Sequence, residues 1–254
     1  MKDIHSHILY EIDDGAEDIK ESIDIIKQGI KNGYTDIILT PHYRKIQGFT
    51  KNNKVKEELF NNILKEVKKE KLKINLYLGN EITVDEDLFY YLETNQVLTI
   101  NNSKYIMLEL PFVGRLKYLD DLFSELLEKK YIPIIPHPER YNGYKEKDFI
   151  EWSKLGILFQ GNIESLYGSY GKKVQIKLES MIKKHLISFI GSDIHKSCHL
   201  TYERDIENKL NELLSDSKMV KELTNINIDK VIKNKEVKPY ELVIEKKKFK
   251  LFNR

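Results

Sequence analysis

Residue types that bind metal ions recur along the chain, each time close to the end of a short apolar run. They lie in the motifs HSH, DDG, TPH, GNE, LELP, PHPER and GSDIH. The nine candidate ligands are His5, His7, Asp14, His42, Glu81, Glu109, His137, Asp193 and His195. Imidazole and carboxylate ligands without cysteine favour Mn, Fe or Zn over a soft copper site. Since one ion cannot use them all, the sequence predicts two or three ions that share bridging carboxylates, an arrangement suited to phosphoryl transfer.

Two of the carboxylates are difficult to explain by ordinary packing. Glu109 lies inside the apolar run YIMLELP, and Asp193 follows LISFIGS. A carboxylate buried in such surroundings is costly unless it is paired or coordinates a cation. The HSH motif alone is weaker evidence, because two histidines on one side of a strand also occur in ordinary packing. His185 belongs to none of the motifs, and we expect it to be a surface residue at a helix end.

The apolar runs that carry the motifs are typical of parallel strands buried on both faces, because they are short, continuous and β-branched. The predicted strands are Lys2–His5, Thr35–Thr40, Ile74–Leu78, Tyr105–Leu110, Ile132–Ile135, Ile157–Gln160 and Leu186–Ile190. Helical periodicity follows each strand, at 16–33, 54–70, 85–93, 116–130, 146–155, 172–185 and 203–214. Consecutive β-then-α units of this number favour a barrel over an open sheet. Because the carboxyl ends of barrel strands meet at one face, we expect the motifs to form a single site.

The composition excludes several classes of protein. Of 254 residues, 41% are hydrophobic and 32% are charged, which excludes a disordered chain and a membrane protein. The formal net charge of +2 argues against nucleic acid as the main partner. One cysteine excludes a disulfide framework. The N-terminus is not a signal peptide and no apolar run approaches about 18 residues, so we expect a cytoplasmic protein without membrane insertion.

We expect a single α/β domain over residues 1–254 that ends in a basic stretch. This stretch begins at about residue 236 and includes the sequence KPYELVIEKKKFKLFNR. We predict a solvated tail or an exposed strand, with binding of an anionic partner as the alternative. The sequence makes no prediction of the oligomeric state.

Cys198 and Arg204 match the C-x5-R spacing of cysteine-dependent tyrosine phosphatases. In that mechanism successive backbone N–H groups cradle the phosphate, which usually requires glycine where the loop turns. The intervening residues, HLTYE, contain no glycine, and the stretch is typical of the start of a helix. A nucleophilic thiol would also need a lowered pKa. We therefore interpret Cys198 as an incidental loop residue.

The metal-ligand motifs together resemble those of a known superfamily. DIHSHILYEIDDGAED, ILTPHY, GNEI, LELP, PHPERY and GSDIH, in this order, are similar to motifs of the PHP (polymerase and histidinol phosphatase) superfamily. They look most like those of the bacterial manganese-dependent protein-tyrosine phosphatases of capsule and exopolysaccharide operons. The resemblance covers roughly residues 1–235 and implies a distorted seven-stranded β/α barrel with a trinuclear metal centre. The implied substrate is the phosphotyrosine-bearing tail of the autokinase that regulates polysaccharide chain length.

The resemblance also implies which ligands belong to which ion. His5, His7, Glu81 and Asp193 match the ligands of one metal, and Glu81 also bridges to the second. Glu109 and His137 match the second metal, whereas Asp14, His42 and His195 match the third. Asp13 is adjacent to Asp14 and could exchange roles with it.

The chain departs from the family pattern at two places. Tyr10-Glu11 stand where the family often has Pro-Gly, which would change the rim of the site more than its ligands. The family also tends to carry an arginine a few residues after the D-x-H motif, where this chain reads KSCHLTYER. Lys196, His199 and Arg204 are the candidates for the second phosphate-binding cation in that stretch.

The resemblance thus implies a phosphomonoesterase that hydrolyses phosphotyrosine by attack of a metal-activated water. Mn²⁺ is the expected ion, with Fe, Co or Zn as alternatives. Arg140 is the only arginine in the strand-end motifs, and we expect its planar guanidinium to bind phosphate oxygens. The alternative is a surface residue paired with Glu139 or a neighbouring carboxylate. His42 and Asp14 are the other residues to which we assign a catalytic role.

Two other functions remain open at this point. The same site could act on histidinol phosphate, a sugar phosphate or a nucleic-acid end, although the nearly neutral net charge argues against the last. The protein could instead be a non-catalytic regulator that binds a kinase or a glycosyltransferase. The complete set of candidate ligands argues against a decayed site.

Overall fold

The computed structural model describes residues 1–199 and 201–243, in which parallel strands alternate with helices. The strands are β1 Lys2–Ser6, β2 Asp36–Leu39, β3 His42–Tyr43, β4 Asn75–Leu78, β5 Glu81–Thr83, β6 Tyr105–Glu109, β7 Ile132–Pro136, β8 Leu158–Asn162 and β9 Phe189–Gly191. The α-helices are α1 Ile19–Lys31, α2 Asn53–Lys69, α3 Leu88–Glu93, α4 Leu119–Glu128, α5 Glu146–Leu155, α6 Ile163–Leu166, α7 Lys172–Lys183, α8 Ile206–Leu214, α9 Ser217–Lys221 and α10 Asn227–Ile232. A π-helical turn, Glu222–Ile226, joins α9 to α10.

Two of the predicted strands are each interrupted once. β2 and β3 together form the second predicted strand, and β4 and β5 form the third. Leu39 pairs with Leu78 before the interruptions and His42 pairs with Glu81 after them, so the register is the same on both sides. Pro41 lies in the first interruption and has no backbone N–H to donate to a ladder. The ligand-bearing ends β3 and β5 are therefore separate short segments.

The strand segments follow one another in sequence order around the molecule. β1, β2 and β4 form one parallel sheet, and β3, β5, β6, β7, β8 and β9 form the other. Backbone hydrogen bonds from Asp193 N to His5 O and from His7 N to Ile194 O, both 2.8 Å, join the chain after β9 to β1. The two edges of the strand array therefore meet. The predicted parallel α/β architecture is confirmed, and the strand order is that of a distorted barrel with seven positions.

Helix α1 shows how local sequence produces these elements. The Asp18 side chain accepts a hydrogen bond from Glu21 N and caps the first turn. Ile23 and Ile26 are buried against the strands, as the 3.6-residue periodicity predicts. Gly33 has φ +82°, the left-handed conformation that ends helices and that we expected at this position.

The structure differs from the sequence-based expectations at two elements. β4 is only half-buried, although we expected every strand to be buried on both faces. The last strand begins at Phe189 rather than Leu186, because Leu186 and Ile187 are buried in the core without joining the β-ladder.

The basic C-terminal stretch is not simply a solvated tail. Val237 is buried, Tyr240 and Leu242 pack against the core, and Val243 N donates to Lys184 O. The expectation is wrong for these residues, because apolar side chains between the charged ones find cover on the protein. Residues 244–254 lie outside the described residues.

Candidate active site

Glu81 lies at the centre of the predicted ligands. Its Oε2 lies 2.9 Å from His42 Nδ1, 3.3 Å from His7 Nε2 and 3.4 Å from His5 Nε2. Its Oε1 lies 2.9 Å from His137 Nε2. The Glu81 carboxylate and the rings of His5 and His7 are fully buried. One carboxylate thus contacts imidazoles from β1, β3 and the loop after β7, which is the convergence at one face that we predicted.

Two buried atoms of this cluster lack hydrogen-bond partners among the described residues. Glu81 Oε2 is one, because its short contacts do not have hydrogen-bond geometry, and His137 Nδ1 is the other. A buried polar atom without a partner is costly, and metal coordination is one way to satisfy it. The donor set, imidazoles around a carboxylate, fits a divalent cation of intermediate softness.

Asp193 is the second carboxylate that faces the histidines. Its Oδ1 lies 3.3 Å from His7 Nε2 and 3.5 Å from His5 Nε2. Its Oδ2 accepts hydrogen bonds from Asn162 Nδ2 at 2.8 Å and Arg140 Nη1 at 3.0 Å. Asp193 has φ +53° and His137 has φ +36°. Left-handed backbone is costly for such residues, and it is typical of functional sites where the surroundings fix one side-chain direction.

A third group of ligands lies nearer to solvent. Asp14 Oδ1 is 3.6 Å from His195 Nε2 and 3.7 Å from His42 Nε2, and the Asp14 side chain is 53% exposed. The His7 and His195 rings stack with their centroids 3.9 Å apart. Three sets of side chains in the described residues place one ligand atom each within 4.8 Å of one another. They are His7, Asp14, His42 and His195; His5, His7 and Glu81; and His42, Glu81 and Glu109.

Hydrogen bonds fix the orientation of three histidine rings. His5 Nδ1 lies 2.8 Å from Gln160 Oε1, His7 Nδ1 lies 2.7 Å from Asp13 Oδ2, and His195 Nδ1 lies 2.8 Å from the Asp193 carbonyl oxygen. Each acceptor requires the proton on Nδ1. The Nε2 lone pair of each ring is therefore directed into the cluster, as metal-binding histidines require.

The structure separates Asp13 from Asp14, which the sequence left interchangeable. Asp13 is buried, and its Oδ2 also accepts a hydrogen bond from His42 N at 2.7 Å. A Cβ at Gly15 would lie 2.0 Å from His7 O, so only glycine lets the DDG turn pack against His7. Asp13 therefore orients the histidines, whereas Asp14 faces the exposed ligand group.

Asn80 and Lys56 hold the interrupted strands together. Asn80 Nδ2 donates to Pro41 O at 2.8 Å, and Lys56 Nζ donates to Asn80 Oδ1 at 2.7 Å and to Gln96 O at 3.1 Å. Both side chains are buried. They join the residues directly before His42 and Glu81, so they support two of the candidate ligands.

Electrostatics favours ionised carboxylates in the cluster. Burial would raise the pKa of Glu81 and of Asp193, but the charge of His42 lowers the pKa of Glu81 and the charge of His5 lowers that of Asp193 below their usual range. Burial and the charge of His7 lower the pKa of His195 to about 4, which keeps its ring neutral near pH 7. The same carboxylates raise the pKa of His5 and of His7, so a metal ion that binds there would displace a proton from each ring.

Arg140 lies beside the ligand cluster, where it pairs with the carboxylate of Asp193 rather than with Glu139. Its Nη1 contacts Asp193, and its guanidinium lies between the rings of Tyr170 and Phe112, with centroids at 4.3 Å and 4.7 Å. The side chain is 23% exposed. These two cation–π contacts hold the guanidinium beside the cluster.

A second arginine, Arg44, lies at the site although it is outside the strand-end motifs. Arg44 follows His42 by two residues and its Nη2 forms an ion pair with Glu109. Its Nε donates to Thr83 Oγ1 at 3.0 Å, and Thr83 Oγ1 donates to Glu109 Oε2 at 2.9 Å. The signal was present in the sequence PHYR, but no periodicity indicates that the chain turns back towards Glu109 after β3.

Two of the three other candidate cations, Lys196 and Arg204, are held by carboxylates outside the ligand cluster. Lys196 Nζ lies 2.9 Å from Glu17 Oε1, and Arg204 Nη2 lies 3.2 Å from Glu164 Oε2. His199 lines a cleft of about 330 Å³ that also contacts Asp193, His195 and Arg204.

Cys198 is exposed, and Thr201–Glu203 form a 3₁₀ turn rather than a phosphate-binding loop. His185 lies just after α7, where its ring contacts the Glu241 carbonyl oxygen. Neither residue belongs to the cluster.

Sequence reasoning missed Gln160 and Asn162 altogether, because an amide that supports a ligand has no spacing signature.

Among the described residues, no helix has both the length and the apolar character to cross a membrane.

Comparison with known proteins gives consistent results. Residues 1–233 match the family model for capsular polysaccharide synthesis CpsB/CapC. The chain is 35% identical to CapC of Staphylococcus aureus over 253 residues, covering 94% of this chain and 97% of that protein. It is 34% identical to the tyrosine-protein phosphatase YwqE of Bacillus subtilis over 198 residues, covering 77% of each chain.

A solved structure gives the same result for the fold. The crystal structures of YwqE from Bacillus subtilis and CpsB from Streptococcus pneumoniae, described as unique metal-dependent tyrosine phosphatases, match with a TM-score of 0.84 and 28% identity. The match covers 96% of this chain and 100% of the other.

Proposed function

The chain belongs to the CpsB/CapC family of capsular polysaccharide synthesis, and on this premise we propose that it is a metal-dependent tyrosine-protein phosphatase. The observation that carries the proposal is the buried Glu81 carboxylate with imidazoles from three strand ends around it and one oxygen without a hydrogen bond. A cation bound among these imidazoles would satisfy that oxygen.

The nine predicted ligands would hold the ions in the arrangement that the resemblance implies. Mn²⁺ is the proposed ion, with Fe, Co or Zn as alternatives that the same donor set accepts. Ions bound there would supply positive charge to the phosphate oxygens and lower the pKa of water towards neutrality.

The protein's own residues then orient the substrate. Arg140 donates to phosphate oxygens from a guanidinium that its ring partners already hold in place, which costs little reorganisation. The exposed Asp14 lies 3.7 Å from the buried His42 and forms the solvent side of the cluster, where a phosphate ester enters. The leaving group is a phenolate, whose conjugate acid has a pKa of ~10, so it departs with less acid assistance than an alkoxide needs.

We propose the phosphotyrosine-bearing tail of a bacterial tyrosine autokinase as the physiological substrate, with the reaction in the cytoplasm. Support comes from the family match to capsular polysaccharide synthesis and from the relatives that are tyrosine-protein phosphatases. The site is open on the side of Asp14, so a phosphotyrosine on a peptide segment can approach it.

The experiment is metal analysis of the purified protein together with turnover of a phosphotyrosine peptide, histidinol phosphate and a simple aryl phosphate. We expect bound metal and a kcat/KM for the phosphotyrosine peptide at least about tenfold above that for histidinol phosphate. Preference for histidinol phosphate would replace the proposed substrate, and bound metal without any turnover would favour the non-catalytic regulator.

A further inference from the structure

We propose that Arg44 is a second phosphate-binding residue of this site, acting from the Glu109 side while Arg140 acts from the Asp193 side. The assignment rests on the proposed phosphatase function. It concerns a residue that the metal-ligand motifs do not include.

The first argument is the place of the guanidinium. Arg44 Nη2 contacts Glu109 Oε2 and lies 3.4 Å from both ring nitrogens of His42. Glu109 and His42 belong, with Glu81, to a set whose ligand atoms lie within 4.8 Å of one another. A phosphate that contacts ions bound by these three residues would therefore lie within reach of Arg44. The Arg44 side chain is 18% exposed, so its guanidinium is not sealed from an entering substrate.

The second argument is that the guanidinium is held in a fixed orientation. The backbone of Arg44 pairs with Phe49 through hydrogen bonds of 3.0 Å and 3.1 Å, and Gly48 at φ +76° permits the tight turn between them. Nη1 donates to Gln47 Oε1 at 2.6 Å and Nε donates to Thr83 Oγ1 at 3.0 Å. These anchors leave Nη2 directed at the cluster, and a preorganised donor of this kind stabilises charge without reorganisation.

The third argument is the distribution of cations at the site. Lys196 and Arg204 are paired with Glu17 and Glu164, which are not candidate ligands. Arg44 and Arg140 are instead the two arginines that contact candidate metal ligands in the part of the chain that the structure describes. They contact different carboxylates, Glu109 and Asp193. Phosphate held in the cluster would thus meet a guanidinium N–H donor on each side.

The test measures phosphate binding directly, so that it does not depend on the identity of the physiological substrate. Inorganic phosphate is titrated into the metal-loaded protein by calorimetry, and metal content is measured on the same samples. Arg44→Ala should raise the dissociation constant for phosphate at least tenfold and retain wild-type metal content. Arg44→Lys should recover only part of the loss, because an ammonium lacks the planar fork.

Arg115→Ala is the matched control, since Arg115 also pairs with a buried carboxylate, Asp148, but contacts no candidate ligand. Its phosphate affinity should stay within twofold of wild type. An Arg44→Ala protein with phosphate affinity within twofold of wild type would overturn the proposal. Loss of metal with unchanged phosphate affinity of the loaded fraction would also overturn it and make Arg44 a support for Glu109. A wild-type protein that binds phosphate through Arg44 but does not cleave phosphotyrosine would refute the proposed function alone.

Discussion

Replacement of Asp13 by asparagine tests the orientation of the metal ligands. Asp13 Oδ2 accepts hydrogen bonds from His7 Nδ1 and His42 N, both at 2.7 Å, and Oδ1 accepts from Gly15 N at 2.9 Å. An asparagine of the same shape has only one acceptor oxygen. In one orientation the amino group of asparagine faces Gly15 N, and that hydrogen bond is lost. In the other orientation the amino group faces His7 Nδ1. The ring proton must then move to Nε2, where the proton blocks metal binding.

The expected magnitude follows from these contacts. Mutation of a residue that orients a metal-binding histidine typically costs about 10–100-fold in metal affinity. This corresponds to about 1.4–2.8 kcal/mol of binding free energy. Burial alone would raise the pKa of Asp13, but its histidine partners lower it, so the carboxylate is negatively charged. Loss of this negative charge should weaken metal binding further.

The assay is competition for Mn²⁺ between the protein and a chromophoric chelator, with bound metal counted at saturation. Asp13→Asn should weaken binding by about 10–100-fold but reach the wild-type stoichiometry at high metal concentration. Asp14→Asn should instead lower the stoichiometry, because Asp14 is proposed as a ligand. If Asp13→Asn bound metal within twofold of wild type, the reasoning that Asp13 fixes the His7 ring would be refuted.

Three further predictions follow from the same geometry. Exhaustive chelation should abolish phosphatase activity and Mn²⁺ should restore it best; full activity in protein shown to be free of metal would contradict the proposal. Asp193→Asn should lower kcat at least ~100-fold, whereas Cys198→Ser should change it little, and the reverse result would support a thiol mechanism. Burial lowers the pKa of Lys56 from 10.5 to about 7. Between these two pH values the unfolded chain binds more protons at Lys56 than the folded chain does. The free energy of unfolding of the wild type, minus that of Lys56→Met, should therefore rise by up to about 1.4 kcal/mol per pH unit. A difference that stays constant with pH in denaturation experiments would contradict this.

Much of the site was predictable because its signals are local. A ligand residue that follows an apolar run lies at the carboxyl end of a strand, and a parallel barrel brings those ends together. This reasoning correctly placed Glu81, His137 and Asp193 on one face of the molecule. It also placed the helices, whose periodicity depends only on neighbouring residues.

The contacts around the ligands could not be predicted in this way. Gln160 supports His5 across 155 positions in the sequence, and a glutamine in an apolar strand has no pattern that marks it. Arg44 reaches Glu109 because the chain turns back at Gly48, and Glu109 is 65 positions away. The C-terminal residues up to Val243 looked solvated because covering partners such as Lys184 are also distant in sequence.

The sequence by itself determined the chemistry of the site and the order of its strands, since residue type and local periodicity are properties of short segments. Only the tertiary structure decided that Asp13 orients the histidines while Asp14 faces solvent, and that Arg44 rather than Arg204 contacts a candidate ligand. Adjacent residues such as Asp13 and Asp14 have the same side chain and nearly the same neighbours in sequence. Their roles differ because the fold buries one carboxylate beside His7 and leaves the other at the rim.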